Sequence, residues 1–429
     1  MTLAAFRVRS FRFQWSADLL TSWASEMETL ILGWYVMVHT GSVLWLTAFG
    51  SLQFFGTLAA PMFGVLGDRV GGRIMLCAMR AIYATLAALL ACLALTGVLT
   101  PAWVLVVAAL AGIVRPSDLV MRNSLIGETI PPEHLMGALG MSRATMDSAR
   151  VVGALVGAGL STVLGIGYTY VFVTCFYAAS VALTFGVSRR PPVPDPGAPP
   201  RGAATGAVSR GGPRLSGWRD LKDALALVLR TPALLAAMWL AFLINLTAYP
   251  ASSGLLPYVA QRVYHADATG LGFLVASFSF GGLLASIAMV LTGGSRRPER
   301  STVICTVIWF TLLLGFGHLQ SMGAGMLTLL VAGFVQNVAM LSMTATLLAA
   351  AGDGFRGRVM GVRALAVYGM PVGLMACGIL IERIGYPLTI TACAAVGLVF
   401  TLLIAIRWRA SMWEGQPHPT RATSVPQRV

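Results

Sequence analysis

Residues 64–73, GVLGDRVGGR, make a short glycine-rich, charged turn between two apolar runs, and residues 294–300, GSRRPER, sit between two more. Gly67, Arg69 and Arg73 recur as Gly294, Arg296 and Arg300, each at an offset of 227 positions. A basic turn at the same place in two sets of hydrophobic segments indicates an internally duplicated membrane protein.

Composition agrees. With 57% hydrophobic and 11% charged residues and a mean hydropathy of +0.77, the chain has too little polar surface for a soluble domain. Cutting it at charges and turn residues leaves twelve runs near 13–38, 43–66, 74–97, 102–122, 138–164, 168–187, 233–260, 268–292, 302–320, 323–349, 359–381 and 386–407. Each is close to the roughly 20 residues that a helix needs to cross a hydrocarbon core. Period-two alternation is absent, and lipid leaves no water for unpaired backbone groups, so the runs read as helices. Small residues at a spacing of four, Gly153 with Gly157 and Gly56 with Ala60, predict close helix contacts where apolar burial supplies no driving force. The expected fold is an all-α membrane protein of twelve transmembrane helices in two pseudo-symmetric six-helix halves. The expected units are residues 1–187, a linker with an amphipathic helix over 188–231, a second half over 232–409, and a tail over 410–429.

Positive charge is retained on the cytoplasmic side. Arg7, Arg9 and Arg12, Arg69 and Arg73, the arginines of 189–219, Arg296, Arg297 and Arg300, Arg356 and Arg358, and Arg409, Arg421 and Arg428 fall on one side, against little more than Arg262 and Arg383 on the other. Both termini are therefore expected in the cytoplasm, and the first span is expected to be retained rather than cleaved as a signal. Topology and attraction to anionic membrane lipid account for the net charge of +14; no aromatic-interleaved basic patch points to nucleic acid. All six cysteines fall in predicted spans without a CxxC, so neither a disulfide framework nor a metal site is expected. Residues 188–214 are rich in Pro, Gly, Ala and Arg and read as a linker. Trp218, Leu221, Leu225 and Leu229 then recur at helical spacing opposite Arg219, Lys222, Asp223 and Arg230, which suits a helix lying in the interface.

The turn GVLGDRVGGR resembles the signature between the second and third helices of the major facilitator superfamily. PSDLVMRNSLIGETIPPEHLMGALGMSRATMDSARVVGALVGAG (116–159) and FRGRVMGVRALAVYGMPVGLMACGILIERIG (355–385) resemble a bacterial exporter branch that includes the enterobactin exporter and macrolide efflux proteins. The same stretches carry the repeat again: Gly137 and Arg143 are matched by Gly357 and Arg363. The resemblance implies alternating access in a bacterial inner membrane. It also implies a gate in which Asp68, Arg69 and Arg73 act at the end of the second span, with Arg363 as partner in the other half. In the fifth span alanine, Ala154, stands where drug antiporters carry the proline of their Gly-Pro motif.

Asp18, Ser22 and Glu26 share a helix face of the first span. A carboxylate near mid-membrane costs about 2.5–3.5 kcal/mol on insertion scales, so Glu26 should face water or be protonated. Glu26, with Asp18 nearer the cytoplasm, is the candidate proton-coupling pair, and a permanent ion pair or a substrate cation contact is the alternative; Glu28 points to a different face. Arg115, Asp118 and Arg122 form a ladder in the fourth span, Arg115 being as suited to pairing with Asp18 or Glu26 as to binding an anion. Arg80, Asp147 and Arg150 lie close enough to span ends to snorkel. Gln53, Asn245, Tyr249, Gln336 and Asn337 are the polar groups at mid-depth, with Trp34, Phe54, Trp239 and Phe242 as candidate apolar wall for an amphipathic organic substrate.

No HExxH, GxSxG or phosphate-cradling loop appears, so neither an enzyme nor an ATP-driven pump is expected, and no cofactor. The reading that results is a secondary active transporter, with proton-coupled efflux of a drug- or siderophore-like compound as the expectation. A facilitator, importer or lipid transporter of the same fold is the alternative. Its partners are a small-molecule substrate, protons and membrane lipid, with no obligate protein partner.

Overall fold

A computed structural model describes residues 6–59, 70–130, 132–187, 217–352 and 355–414. The turn at 64–69 with Asp68 and Arg69, the linker to residue 216 and the tail from residue 415 lie outside the described residues.

The described chain is helical. α1 (Arg9–Thr40) ends at Gly41, whose φ of 62° lets its amide turn back to the Met37 carbonyl. α2 (Val43–Leu52) runs into a tight turn, Phe55–Ala59. α3 (Gly72–Leu95), α4 (Pro101–Thr129) and α5 (Pro132–Phe185) follow; α5 is two passes joined at Gly165, whose φ of 75° breaks it into arms over 132–164 and 166–185. α6 (Gly217–Arg230) precedes α7 (Pro232–Tyr249), which continues through π turns at Pro250–Gly254 and Val259–Val263. At Pro250 the helix continues through a bulge, a wider π turn in which the Leu255 amide donates to the Pro250 carbonyl at 2.9 Å. α8 (Ala268–Leu291), α9 (Pro298–Phe316) and α10 (Met322–Ala351) lead to α11 (Arg356–Leu365) and α12 (Gly369–Ile384), one pass interrupted at Ala366–Tyr368, and α13 (Tyr386–Arg407) closes the bundle. Pro101, Pro232 and Pro298 stand at helix starts, where a missing N–H is not needed.

Nine segments are long and apolar enough to cross a membrane among the described residues, and one of them, Gly140–Phe185, makes two passes. With α1, which carries more charge, and the shorter apolar Val43–Thr57, twelve passes result. They form two pseudo-symmetric groups of six.

The repeat is visible in the packing. A Cβ at Gly56 would overlap the Ile113 backbone and one at Gly112 the Leu52 carbonyl, so the second pass lies directly on α4. At offsets of 225 and 221 positions, a Cβ at Gly281 would overlap the Leu330 carbonyl and one at Gly333 the Phe278 carbonyl, binding α8 to α10. The same backbone-on-backbone contact is made once in each half. Gly153 and Gly157 let α5 approach α1 at Trp23 and Met27.

We call the end of the bundle that holds Gly41, Gly165 and Gly385 the distal face and the other the proximal face. The halves meet through α5 on α8, where Thr162 Oγ1 and Thr269 Oγ1 are 3.1 Å apart, and α2 on α12, where Ser51 donates to the Pro371 carbonyl at 3.0 Å. At the distal face, Ser42 reaches Glu382 (3.4 Å), Arg262 reaches the Gly41 carbonyl (3.3 Å) and Gly33 packs on Pro257. Among the described residues α4 and α10 make no extended contact across the halves. α6 packs on α11 and α7 with Val228 buried and Leu225 and Leu229 exposed, the disposition of an interfacial helix.

Candidate functional site

The charges that α1 carries into the bundle are compensated at three levels. Nearest the proximal face, Asp18 is buried and held by Arg80, which also donates to Thr184. Arg122 lies 3.7 Å from the same carboxylate, pairs with Asp118 at 2.6 Å and donates to Ser22 Oγ at 2.8 Å, while Gln14 donates to the Arg122 carbonyl at 3.0 Å. Arg80 is 0% exposed. The snorkelling expected of it does not occur, because a buried Asp18 needs an opposite charge and a guanidinium that left would strand it. Two guanidiniums and two carboxylates thus form a closed, neutral hub joining α1, α3, α4 and the second arm of α5.

One level deeper, Arg115 forks. Its Nη1 donates to Gln53 Oε1 (2.6 Å) and Thr29 Oγ1 (2.9 Å), and its Nη2 to Glu28 Oε2 (3.2 Å), which also accepts from the Tyr177 hydroxyl at 2.8 Å. Glu28 is 5% exposed. It does point away from the Glu26 face, about 200° around a helix of 3.6 residues per turn, and that direction leads inside the half to Arg115.

Glu26 faces the cleft. Its Oε1 is 3.5 Å from Arg150 Nε on α5, and the two side chains are 33% and 49% exposed. One turn along α5, Arg143 pairs with Asp147 at 3.4 Å, and Ser286 of the other half donates to the same carboxylate at 3.4 Å. Opposite stand Tyr249, which accepts a 2.6 Å hydrogen bond from Gln336 and lies edge-on to Trp309, and Arg363, which donates to Thr344 Oγ1 at 2.7 Å.

The arrangement is a water-reachable cleft between two six-helix halves, lined by charged side chains, with no group of three or more His, Cys, Asp or Glu that could hold a metal among the described residues. A family profile described as Major Facilitator Superfamily matches residues 17–370. The chain belongs to the Major Facilitator Superfamily. It is a multi-pass membrane transporter, not an enzyme.

Among curated proteins none matches the sequence. Solved structures of the major facilitator fold align over nearly the whole chain. They include the human organic anion transporter MFSD10 (TETRAN), at 16% identity, TM-score 0.61, covering 92% of this chain and 99% of that one. The nucleoside transporter NupG aligns at 13% identity, TM-score 0.67, covering 94% and 98%. A bacterial homolog of the human lysosomal transporter Spinster, inward-facing and unoccupied, aligns at 13% identity, TM-score 0.69, covering 96% and 99%. At such identities the likeness is one of fold alone.

Within this superfamily member the expected site residues separate into groups. Gln53 and Arg115 come together, with Glu28 rather than with Asp18 or Glu26. Tyr249 and Gln336 come together across α7 and α10. Asn337 instead donates to the Gly282 carbonyl (2.5 Å) and Ser286 Oγ (2.8 Å), and Asn245 to its own helix at Ala241 (2.8 Å). Trp34 lies apart from both, lining a distal cleft of about 630 Å³ with Tyr35, His39, Thr162 and Asp267. Arg73 donates to the Phe185 carbonyl (2.5 Å) within its own half. Asp68 and Arg69 lie outside the described residues. Sequence reasoning gave no role to Glu28, Thr29 or Tyr177; the signal that could have found them is charge conservation in lipid, since Arg115 and Glu28, both inside spans, each require an opposite charge.

Proposed function

We propose that the protein exports an amphipathic organic compound, drug-like or siderophore-like, across a bacterial cytoplasmic membrane in exchange for protons, by alternating access of its two halves. The observation that carries this reading is the Glu26–Arg150 pair: a carboxylate on the cleft wall, one-third exposed and bonded to a guanidinium of another helix at 3.5 Å. A proton on Glu26 would remove the pair's attraction and free Arg150, while an arriving substrate would favour the deprotonated, paired form. One site then serves the two ligands in turn, which is what antiport requires. The arginine-rich proximal face is taken as cytoplasmic. Residues 1–187 and 232–409 are the moving units, and Asp68 and Arg69, with Arg73, are the gate at the end of the second pass. Asp18 belongs with the neutral hub in this scheme, and Glu28 with Arg115 keeps a second exchangeable carboxylate behind Glu26.

The test is proton release from inside-out vesicles as amphipathic cations, macrolides and catecholate siderophores are added, comparing intact protein with Glu26→Gln and Glu28→Gln. Release by the intact protein that Glu26→Gln abolishes supports exchange at Glu26. Labelled substrate that equilibrates with no proton movement replaces antiport with facilitated or inward transport.

A further inference from the structure

Apart from the cleft, the proximal end of the first half carries an apolar slot of about 260 Å³ between α3 and the second arm of α5. It runs about 12 Å from Arg73 to Ala81, eight residues at helical rise. Cys77, Ala78 and Ala81 are its floor, too small to fill it, and Val181 and Phe185 are the facing wall. Ile74 beside it is 47% exposed and Phe185 59%, Ala78 and Ala81 are exposed as well, and α3 makes no extended contact with the second half among the described residues. On a chain that spans a membrane, an exposed apolar face of this kind meets lipid.

The proximal mouth of the slot is basic. Arg73 donates to the Phe185 carbonyl at 2.5 Å, and its guanidinium lies 5.9 Å from the centre of the Phe185 ring. Past the same helix end, Phe13 packs on Gly186 and carries the Arg9 guanidinium 5.6 Å from its ring centre. Two arginines, each laid on an aromatic ring, therefore flank the end of α5. The adjoining chain adds charge of one sign: residues 60–73 and 185–190 hold Arg69, Arg73, Arg189 and Arg190 against Asp68 alone. A pairing of Asp68 with any one of these four leaves three positive charges in excess.

We propose that this slot holds one anionic phospholipid, its phosphate at Arg73 and Arg9 and one acyl chain along Cys77, Ala78 and Ala81. The planar guanidinium fork fits phosphate oxygens two at a time, and basic side chains at a membrane surface draw anionic lipid. A zwitterionic lipid with the same chains keeps the apolar contact but brings an ammonium to a basic mouth. A free phosphate has the mouth but leaves the slot empty, and the slot is smaller than the pockets that enclose drug-sized molecules. The site belongs to the lipid shell of the protein and does not depend on which compound is transported or on coupling at Glu26.

The experiment is native mass spectrometry of the full-length protein in detergent, titrated with phosphatidylglycerol, with phosphatidylcholine of the same chains, and with glycerol 3-phosphate. The first phosphatidylglycerol should bind at least about fivefold more tightly than the first phosphatidylcholine, the effect of one interfacial arginine, and glycerol 3-phosphate far more weakly than either lipid. Arg73→Gln and Arg9→Gln should each weaken the first phosphatidylglycerol about fivefold and leave phosphatidylcholine unchanged. Ala78→Phe, on an exposed position with the charges intact, should fill the slot and weaken both lipids. Arg73 also caps α5 through the Phe185 carbonyl, so if Arg73→Gln does not fold, Arg9→Gln and Ala78→Phe decide. Equal binding of the two lipids, a preference that survives Ala78→Phe and the glutamine variants, or glycerol 3-phosphate bound as tightly as the lipid would overturn the proposal.

Discussion

Arg115 binds Glu28 with one guanidinium nitrogen and Gln53 with the other, so a single side chain of α4 ties the first pass to the second. Removing the carboxylate charge alone strands a cation inside the half. Breaking a buried pair from one side costs about 3–5 kcal/mol, and Gln in place of Glu28 can still accept a hydrogen bond, so Glu28→Gln should fall toward the low end of that range. Glu28→Gln combined with Arg115→Gln should recover part of the loss. Thermal unfolding in detergent of the two singles and the double checks this; strictly additive losses would show that the pair is not coupled.

Tyr177→Phe tests the same carboxylate from the other side. It removes one 2.8 Å hydrogen bond to Glu28 Oε2 and leaves the ion pair, so stability should drop by about 1.5–3 kcal/mol, the range for a hydrogen bond to a charged group. An unchanged melting temperature would mean that the phenol contributes nothing to the site.

The hub around Asp18 should be intolerant of one-sided change. Arg80→Ala leaves Asp18 to Arg122 alone, and Arg80→Lys cannot reach Asp18 and Thr184 at once with a single ammonium. Both should lower expression and melting temperature, alanine more than lysine, whereas substitution of the exposed Arg143 should not. Fluorescence-detected size-exclusion of the three variants reads the difference.

Gly333→Ala and Gly112→Ala should behave as equivalents, since each places a methyl against a carbonyl of the neighbouring helix. Overpacking of this kind costs about 1–3 kcal/mol. Gly127→Ala, where a Cβ meets nothing within 4 Å, is the control. Loss in one half without the other would argue against the packing repeat.

Thr162 and Thr269 touch across the halves near the distal face. With the native cysteines replaced, Thr162→Cys with Thr269→Cys should cross-link on oxidation, stop transport and be restored by reductant. Transport that continues through a complete cross-link would show that these ends do not separate.

Fold and site were legible in the sequence to different depths, for physical reasons. Hydropathy and the repeated basic turns sufficed for the twelve passes, because lipid enforces helices of one length. Helix rotation was not legible: most residues of a span are apolar on every side, so nothing in the pattern told which face of α1 meets α4. Glu28 therefore went unassigned although its partner Arg115 was singled out, and Arg80, near a span end, was expected to reach water when it turns inward to Asp18. Asn337 and Trp34 were chosen for depth alone, and depth does not separate a side chain that faces the cleft from one that fastens two helices.

The cancellation of charge among Asp18, Arg80, Asp118 and Arg122 bears on energetics that no contact distance reveals. A membrane potential does work on net charge carried across it, about 2.3 kcal/mol per elementary charge per 100 mV. The hub can ride with its half through the whole transport cycle without drawing on that potential. Whatever voltage sensitivity the cycle has must therefore originate outside this hub.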